Sequence, residues 1–152
     1  MISYTAITLT GNTSWDVLAS TSSACCAAYD NSSSLYDDIV FTVLLKSNTV
    51  PASDKAAYLY PYGSFDGTNY NISSNEMASP GTDATLTIDT NTNLEGPIIV
   101  NMFAASKSYY KNVSMARIFG SVPKKGGLIV NNVTGQAFVT GSGIVAAVGV
   151  KW

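Results

Sequence analysis

The stretch Ile39-Val40-Phe41-Thr42-Val43-Leu44-Leu45 is apolar at nearly every position. A β-strand with one face in water alternates apolar and polar residues, whereas a strand that is covered on both faces is apolar throughout. The stretch therefore predicts a central β-strand with both faces covered.

Short apolar or alternating runs recur on either side of this strand, and each is ended by Gly, Pro, Asn or Asp. Short strands separated by turn residues are typical of an all-β sandwich or barrel. We predict a single β-sandwich domain over residues 1–152 with about ten short strands, since no repeat or linker divides the chain. The candidate strands are residues 2–9, 15–19, 24–29, 39–45, 55–62, 84–88, 98–103, 113–119, 128–130, 137–140 and 144–150.

Three local signals refine this prediction. Asp66-Gly67 supplies the positive φ angles of a tight turn and predicts a hairpin. Pro61 predicts an edge strand for residues 55–62, because proline cannot donate a hydrogen bond to a neighbouring strand. A helix is expected only briefly, around residues 102–109.

The composition excludes several classes of protein. Charged residues make up 12% of the chain, against a usual share of about 25%, while Ser, Thr and Asn are abundant. A long helix bundle would need more Glu, Lys, Arg and Leu. A net charge of −2 with a single arginine, Arg117, gives no basic surface for nucleic acid.

No catalytic or cofactor motif fits this chain, which we expect not to be an enzyme. Without histidine, Ser-His-Asp and Cys-His catalysis and the common zinc sites are impossible. Ser121 and Lys124 have S-x-x-K spacing, but Pro123 argues against the helix that this chemistry needs. The G-x-G-x-x-A match at residues 141–146 lacks the helix and the acidic residue of a dinucleotide site. Asp30 with Asp37-Asp38 suits capping and solvation better than a cation site.

The two cysteines, Cys25 and Cys26, are adjacent in sequence. On a strand they would point to opposite faces, so a disulfide between them is not expected. The N-terminal residues have no secretory pattern, and no apolar run approaches the length of a membrane span. We therefore expect synthesis in a reducing cytoplasm.

Aromatic residues form the most suggestive pattern. Tyrosines at 58, 60 and 62 share one face of a strand, further aromatic residues lie nearby, and the last strand ends on an aromatic residue. Such residues are enriched in protein interfaces; they could equally stack on sugar rings or pack beneath a loop. The candidate partner-binding residues are Tyr58, Tyr60, Tyr62, Phe65, Tyr70 and Trp152.

Three segments resemble small virion proteins of tailed bacteriophages: residues 58–68, with Ser64-Phe65-Asp66-Gly67; residues 119–123, Phe-Gly-Ser-Val-Pro; and residues 130–135, Val-Asn-Asn-Val-Thr-Gly. In that group a strand ends in a Ser-x-Asp-Gly turn, and later turns follow the Phe-Gly-x-x-Pro and Asn-x-(x)-Gly patterns. The resemblance covers roughly residues 55–150. It implies a jelly-roll-like β-sandwich that decorates or cements the capsid or sits in the tail, and it implies no catalytic residues.

Together these features predict an auxiliary capsid protein that binds the outer surface of a phage capsid lattice and stabilises it. The expected partner is the major capsid protein, with a homo-oligomer, trimer or dimer, on the capsid and no nucleic-acid or membrane partner. The expected location is the virion, after synthesis in the host cytoplasm. The alternative is a carbohydrate-binding tail, fibre or adhesin module that uses the same tyrosines. A start at Met1 and an end on an apparent strand at Trp152 favour a stand-alone accessory protein.

Overall fold

A computed structural model describes residues 1–9, 13–52, 56–72, 81–88 and 94–152. These residues form ten strands and one short helix. The elements are β1 (Ser3–Ile7), β2 (Ser22–Cys25), β3 (Tyr29–Asp30), β4 (Asp38–Leu45), β5 (Ala56–Ser64), β6 (Ala84–Leu86), β7 (Ile98–Asn101), β8 (Tyr109–Ser114), α1 (Met115–Phe119), β9 (Lys125–Asn132) and β10 (Ile144–Lys151).

The strands form two antiparallel sheets. Sheet A has the order β1-β10-β4-β8, and sheet B has the order β6-β2-β9-β5-β7, with β3 beside one end of β9. Without β3 and β6, eight strands remain; numbered along the chain, they lie in the orders 1-8-3-6 and 2-7-4-5. Two interlocked four-stranded sheets of this kind are a jelly roll. The predicted all-β sandwich, its ten strands and its jelly-roll form are confirmed.

The core lies between the two sheets. Alternate residues of β4 point inward and are fully buried, namely Ile39, Phe41, Val43 and Leu45. They pack in one cluster with apolar side chains of β5 and β9. Burying such a side chain contributes about 1.5–3 kcal/mol, so this cluster is the main source of stability.

The other side of β4 differs from the prediction. The strand is central, between β10 and β8, but its outward residues Val40, Thr42 and Leu44 are only half-buried or exposed. The expectation that both faces are covered is therefore wrong. The apolar run covers the core with one face and lies on the surface of the protein with the other.

Sheet B, in contrast, is covered on part of its outer face. A second apolar cluster there contains Cys25, Tyr62, Ile72 and Ile129. Ile72 lies in the segment that follows β5, so this segment packs on the outer face of the sheet beside Tyr62. The two cysteines take part on opposite sides, as predicted, because Cys26 belongs to the central core.

Two predicted strands are absent, the predicted strand 113–119 is a strand only to Ser114 and continues as α1, and the helix lies elsewhere than predicted. Residues 15–19 form a turn and loop around the buried Trp15, and residues 137–140 make only a single bridge, between Phe138 and Ser47. The helix is α1, not residues 102–109. It begins after Ser114, whose hydroxyl accepts a hydrogen bond from the Arg117 amide, and such caps decide helix position more than propensity does.

Pro61 does not mark an edge strand. β5 lies between β9 and β7, but its pairing with β7 ends at Leu59, whereas its pairing with β9 continues to Ser64. Pro61 therefore sits beyond the end of β7, where β5 has no partner on that side. The missing N–H costs nothing at this position.

Candidate functional site

Tyr62 is not part of an exposed surface. It is 0% exposed, and its hydroxyl donates a hydrogen bond to the Cys26 carbonyl at 2.7 Å. Its ring occupies the space above Gly127, where a Cβ atom would lie 2.8 Å from the ring carbons. Burial raises the pKa of Tyr62 well above its usual range. Tyr62 is a structural residue, so its selection as a partner-binding residue is wrong.

Tyr58 and Tyr60 lie on the same outward face but are half-buried. Tyr60 packs against the second cluster, and burial raises its pKa. Tyr58 stands beside Asn131 of β9 and Ile99 of β7, in the same lateral row. Ile99 is exposed, so the open part of this face is the end that carries Tyr58.

Phe65 and Tyr70 lie on either side of the Asp66-Gly67 turn. Phe65 is 56% exposed and meets Phe119 edge-to-face, with ring centroids 6.2 Å apart. Tyr70 instead packs on Tyr62, with ring centroids 5.8 Å apart. The turn thus places Tyr70 on Tyr62 and leaves Phe65 exposed, but residues 69–72 form no strand, so the predicted hairpin is wrong.

Phe65 and Phe119 line a shallow cleft of about 390 Å³. Its polar lining comes from Asp66, Glu95 and two asparagines, Asn69 and Asn71. We call this the aromatic cleft. An exposed ring beside carboxylates and amides can hold an uncharged ligand that has both an apolar face and hydroxyl groups.

The Asp66 carboxylate in this cleft has a structural role. It accepts hydrogen bonds from the amides of Thr68 and Asn69, both at 2.7 Å, and from the Ser64 hydroxyl at 2.8 Å. The Asn69 amide group donates to its second oxygen. These hydrogen bonds, of which the two from backbone amides have the largest effect, hold the pKa of Asp66 well below its usual range. The Asp66 side chain is therefore a permanent anion in the cleft.

The other turns that carry the phage resemblance also serve the fold. Gly120 ends α1 with φ of 76°, the left-handed conformation that favours glycine. Asn132 is fully buried, and its side chain donates to the carbonyls of Leu18 and Gln136. These motifs specify turns of the jelly roll.

Trp152 lies on the other sheet. It follows β10 and is 70% exposed, and its amide donates to the Asp37 carboxylate at 3.0 Å. No ring contact joins it to another aromatic residue in the described part of the chain. The structure therefore does not gather the six candidate residues into one surface.

Sequence reasoning missed a larger exposed surface, the outward side of sheet A. Its residues share one side of four adjacent strands; most are exposed or half-buried, and the pair Asp38 and Val150 at one end is buried. We call these residues the sheet A face: Tyr4, Ala6, Asp38, Val40, Thr42, Leu44, Tyr110, Asn112, Ser114, Ile144, Ala146, Val148 and Val150.

Large apolar side chains form a row across the sheet A face. Ile144 of β10 stands opposite Leu44 of β4, and Leu44 stands opposite Tyr110 of β8. Ile144 is 46% exposed and Tyr110 is 68% exposed; Tyr4 of β1, on the same side, is 71% exposed. Neighbouring strands are about 4.8 Å apart, so the row is a continuous apolar strip.

No residue of the sheet A face itself carries an exposed charge, but the exposed Arg117 of α1 lines a cavity together with Val40, Asn112 and Ser114 of this face. The one ionisable acid of the face, Asp38, is buried. The Asp38 carboxylate accepts hydrogen bonds from the Ser114 hydroxyl at 2.6 Å and from the Ala116 amide at 3.0 Å. Contact with another uncharged surface would therefore desolvate no exposed charged side chain of the sheet A face itself.

A signal for this surface was present in the sequence. β4 is apolar on both faces, and residues 144–152 place Ile144, Ala146, Val148, Val150 and Trp152 on one side. In a sequence, a buried strand and a strand with a docking face are both apolar on their two sides. Only the three-dimensional arrangement shows that most of the outward side is exposed or half-buried.

The three acidic residues considered as a cation site make hydrogen bonds within the fold. Asp30 accepts hydrogen bonds from the Ser32 hydroxyl and from the Ser32 amide, the latter at 2.8 Å, which lower its pKa, and its carboxylate lies 3.7 Å from the Lys125 amine. Asp37 and Asp38 accept the hydrogen bonds given above. No group of three or more acidic or cysteine side chains suited to a metal ion occurs in the described ranges.

Among the described residues, no helix has the length and apolar composition needed to cross a membrane. Comparison with known protein families, characterised proteins and solved structures finds no match for this chain. The resemblance to phage virion proteins thus remains a prediction, and the fold and surfaces described above are what bears on function.

Proposed function

We propose that this protein is an auxiliary structural protein of a virus particle, a cement or decoration protein that docks on a capsid lattice. The observation that carries the proposal is the sheet A face, a largely exposed surface whose own residues carry no exposed charge and which has a strip of apolar side chains. Large exposed apolar patches mark interaction sites in soluble proteins. The turn motifs that resemble phage virion proteins and the scarcity of charge support the same reading.

The size of the sheet A face suits weak binding in many copies. At about 4.8 Å between strands and about 3.3 Å per residue, four strands of seven residues present roughly 450 Å² of projected surface. A standard stable interface buries about 800 Å² on each partner. One copy would therefore bind modestly, and attachment to a repeating lattice would gain strength from contacts with neighbouring copies.

Scarce charge is also an advantage on a lattice. Many copies of a highly charged protein, held at fixed short distances, would repel one another. This chain has eight basic and ten acidic residues and a net charge of −2. Close packing on a capsid would therefore cost little electrostatic free energy.

Copy number in purified particles tests this function. Particles from the source culture would be banded on a density gradient, and the protein would be quantified by mass spectrometry against the major capsid subunit. We expect one copy per capsid subunit or a simple fraction of it. A dozen or fewer copies per particle would move the protein to the tail, and its absence from particles would contradict a virion role.

A second candidate function is carbohydrate binding, favoured by the aromatic cleft. Jelly rolls occur in lectins as well as in capsids, and a sugar has both an apolar face for Phe65 and hydroxyls for Asn69 and Glu95. The tyrosine face of β5 is a poorer sugar platform, because Tyr62 is buried and Tyr60 is half-buried.

A glycan array with the wild type and Phe65→Ala tests this candidate. Binding that is lost in Phe65→Ala and retained in Tyr58→Ala would support a sugar site in the cleft. Absence of binding to every glycan, or binding that Phe65→Ala leaves unchanged, would contradict it.

A further inference from the structure

The two sheets have four edges, and three of them carry features that prevent pairing with another chain. β6 is only three residues long, β7 has four residues and follows Pro97, and β8 carries Lys111. Short length, proline and lysine are the usual devices that protect an edge strand from unwanted pairing. The fourth edge, β1, has five residues and carries neither proline nor lysine.

β1 is exposed on both faces. Ser3, Tyr4, Thr5 and Ala6 are all exposed, and only Ile7 packs against the core. Residues 1–9 contain no charged side chain, no proline and no glycine. One side of β1 pairs with β10 from Ser3 to Ile7, so alternate residues direct their N–H and C=O groups away from the sheet.

We infer that β1 pairs antiparallel with β1 of a second copy, which joins the two copies of sheet A into one eight-stranded sheet. The inference goes beyond docking on a capsid, because it concerns how copies of the chain associate with each other. An antiparallel pair of identical strands has a two-fold axis, and this interface closes at two copies.

The sequence of β1 is complementary to itself in this arrangement. With the axis at Thr5, Thr5 lies opposite Thr5 of the second copy, and Tyr4 lies opposite Ala6. A large side chain then faces a small one, and threonine pairs are favourable across antiparallel strands. No like charges meet across this pair, and a strand that pairs with a copy of itself must avoid such contacts.

Pairing through β1 also enlarges the docking surface. Tyr4 and Ala6 belong to the sheet A face, so two joined sheets present a single face of roughly 900 Å², using the strand spacings above. That is within the range of a standard interface on one partner. The dimer would thus bind the capsid more tightly than one copy does.

The oligomeric state in solution tests the inference. Light scattering on the wild type should give twice the chain mass of 16.0 kDa, with dissociation on dilution. Thr5→Lys places two lysines opposite each other and should give a monomer. The matched control Thr42→Lys adds the same charge to the centre of sheet A and should leave the dimer intact.

A monomeric wild type at its highest soluble concentration, a trimer, or a dimer that Thr5→Lys leaves intact would overturn the inference. So would loss of the dimer in Thr42→Lys as well. Failure of the dimer inference can be told apart from failure of the proposed function. Thr42→Lys is expected to remain a dimer but to lose attachment to particles.

Disulfide trapping provides a second test if Thr5→Lys fails to fold. Cys25 and Cys26 are buried, so Thr5→Cys would be the reactive thiol. Under mild oxidation this variant should form a covalent dimer on a non-reducing gel, and Thr42→Cys should not. Equal cross-linking of the two variants, or none in Thr5→Cys, would contradict pairing at β1.

Discussion

The two outer faces of the sandwich carry similar side chains in opposite environments. On sheet B, Tyr62 packs with Ile72 and donates a hydrogen bond to a backbone carbonyl. On sheet A, Tyr110 stands on the edge strand β8, in the apolar row near one end of the sheet, and is 68% exposed. A tyrosine on a strand can thus be core or surface, depending on what a distant segment covers.

The Tyr62 end of the sheet B face is covered by other residues of the chain, whereas most of the sheet A face is exposed or half-buried among the described residues. The same apolar chemistry therefore stabilises the fold on one side and remains available for association on the other. The following predictions test this difference, beginning with the largest expected effect.

Truncating the two tyrosines should have very different effects on stability. Tyr62→Ala should lower the free energy of unfolding by about 3–5 kcal/mol, because it leaves a large buried cavity. Tyr110→Ala should change it by less than about 0.5 kcal/mol, as for exposed positions in general. Urea unfolding of both variants measures the difference, and equal effects would mean that the faces are not distinct.

Filling the space above Gly127 should also destabilise the fold. In Gly127→Ala the new methyl group would meet the Tyr62 ring, and overpacking of this kind costs about 1–3 kcal/mol. In the Tyr62→Ala background the same substitution should cost much less, because its obstacle is gone. A double-mutant cycle by urea unfolding measures the coupling between the two substitutions. Additive changes in the free energy of unfolding would contradict the contact between residue 127 and Tyr62.

Alkaline pH should weaken the fold through the buried thiols. Burial raises the pKa of Cys25 from 9.0 to about 11 and that of Cys26 to about 12. Because the unfolded chain loses these protons first, stability should be level below pH 9 and fall between pH 9 and 11, by up to about 1.4 kcal/mol per pH unit for each thiol. Tyr62 acts in the same direction.

Chemical denaturation at a series of pH values measures this effect. The chain has no histidine, so no side chain has its usual pKa between pH 6 and 8, and stability should not change there. Cys26→Ala should reduce the alkaline slope. A slope unchanged in that variant, or a marked change between pH 6 and 8, would contradict this account.

Much of the fold could be predicted from the sequence. Apolar runs closed by turn residues predicted the all-β sandwich and its ten strands, and adjacency predicted that Cys25 and Cys26 point to opposite sides. These features depend on local alternation and turn chemistry, which a sequence shows directly.

The surfaces could not be predicted to the same extent. Alternation predicted that Tyr58, Tyr60 and Tyr62 share a face, but the cover over Tyr62 comes from Ile72 and its neighbours beyond the Asp66-Gly67 turn. In the same way, the apolar outward side of β4 reads as buried when no neighbour is known. Coverage depends on contacts between distant segments, and a single sequence does not reveal them.

Attachment of the recombinant protein to particles that lack it tests the central claim most directly. Cosedimentation would compare the wild type, the double variant Tyr110→Ser/Ile144→Ser on sheet A, and Tyr58→Ser on sheet B. We expect the double variant to lose affinity by at least ~10-fold, about 1.4 kcal/mol, and Tyr58→Ser to bind like the wild type. Normal binding of the double variant, or loss of binding in Tyr58→Ser alone, would contradict the assignment of docking to sheet A.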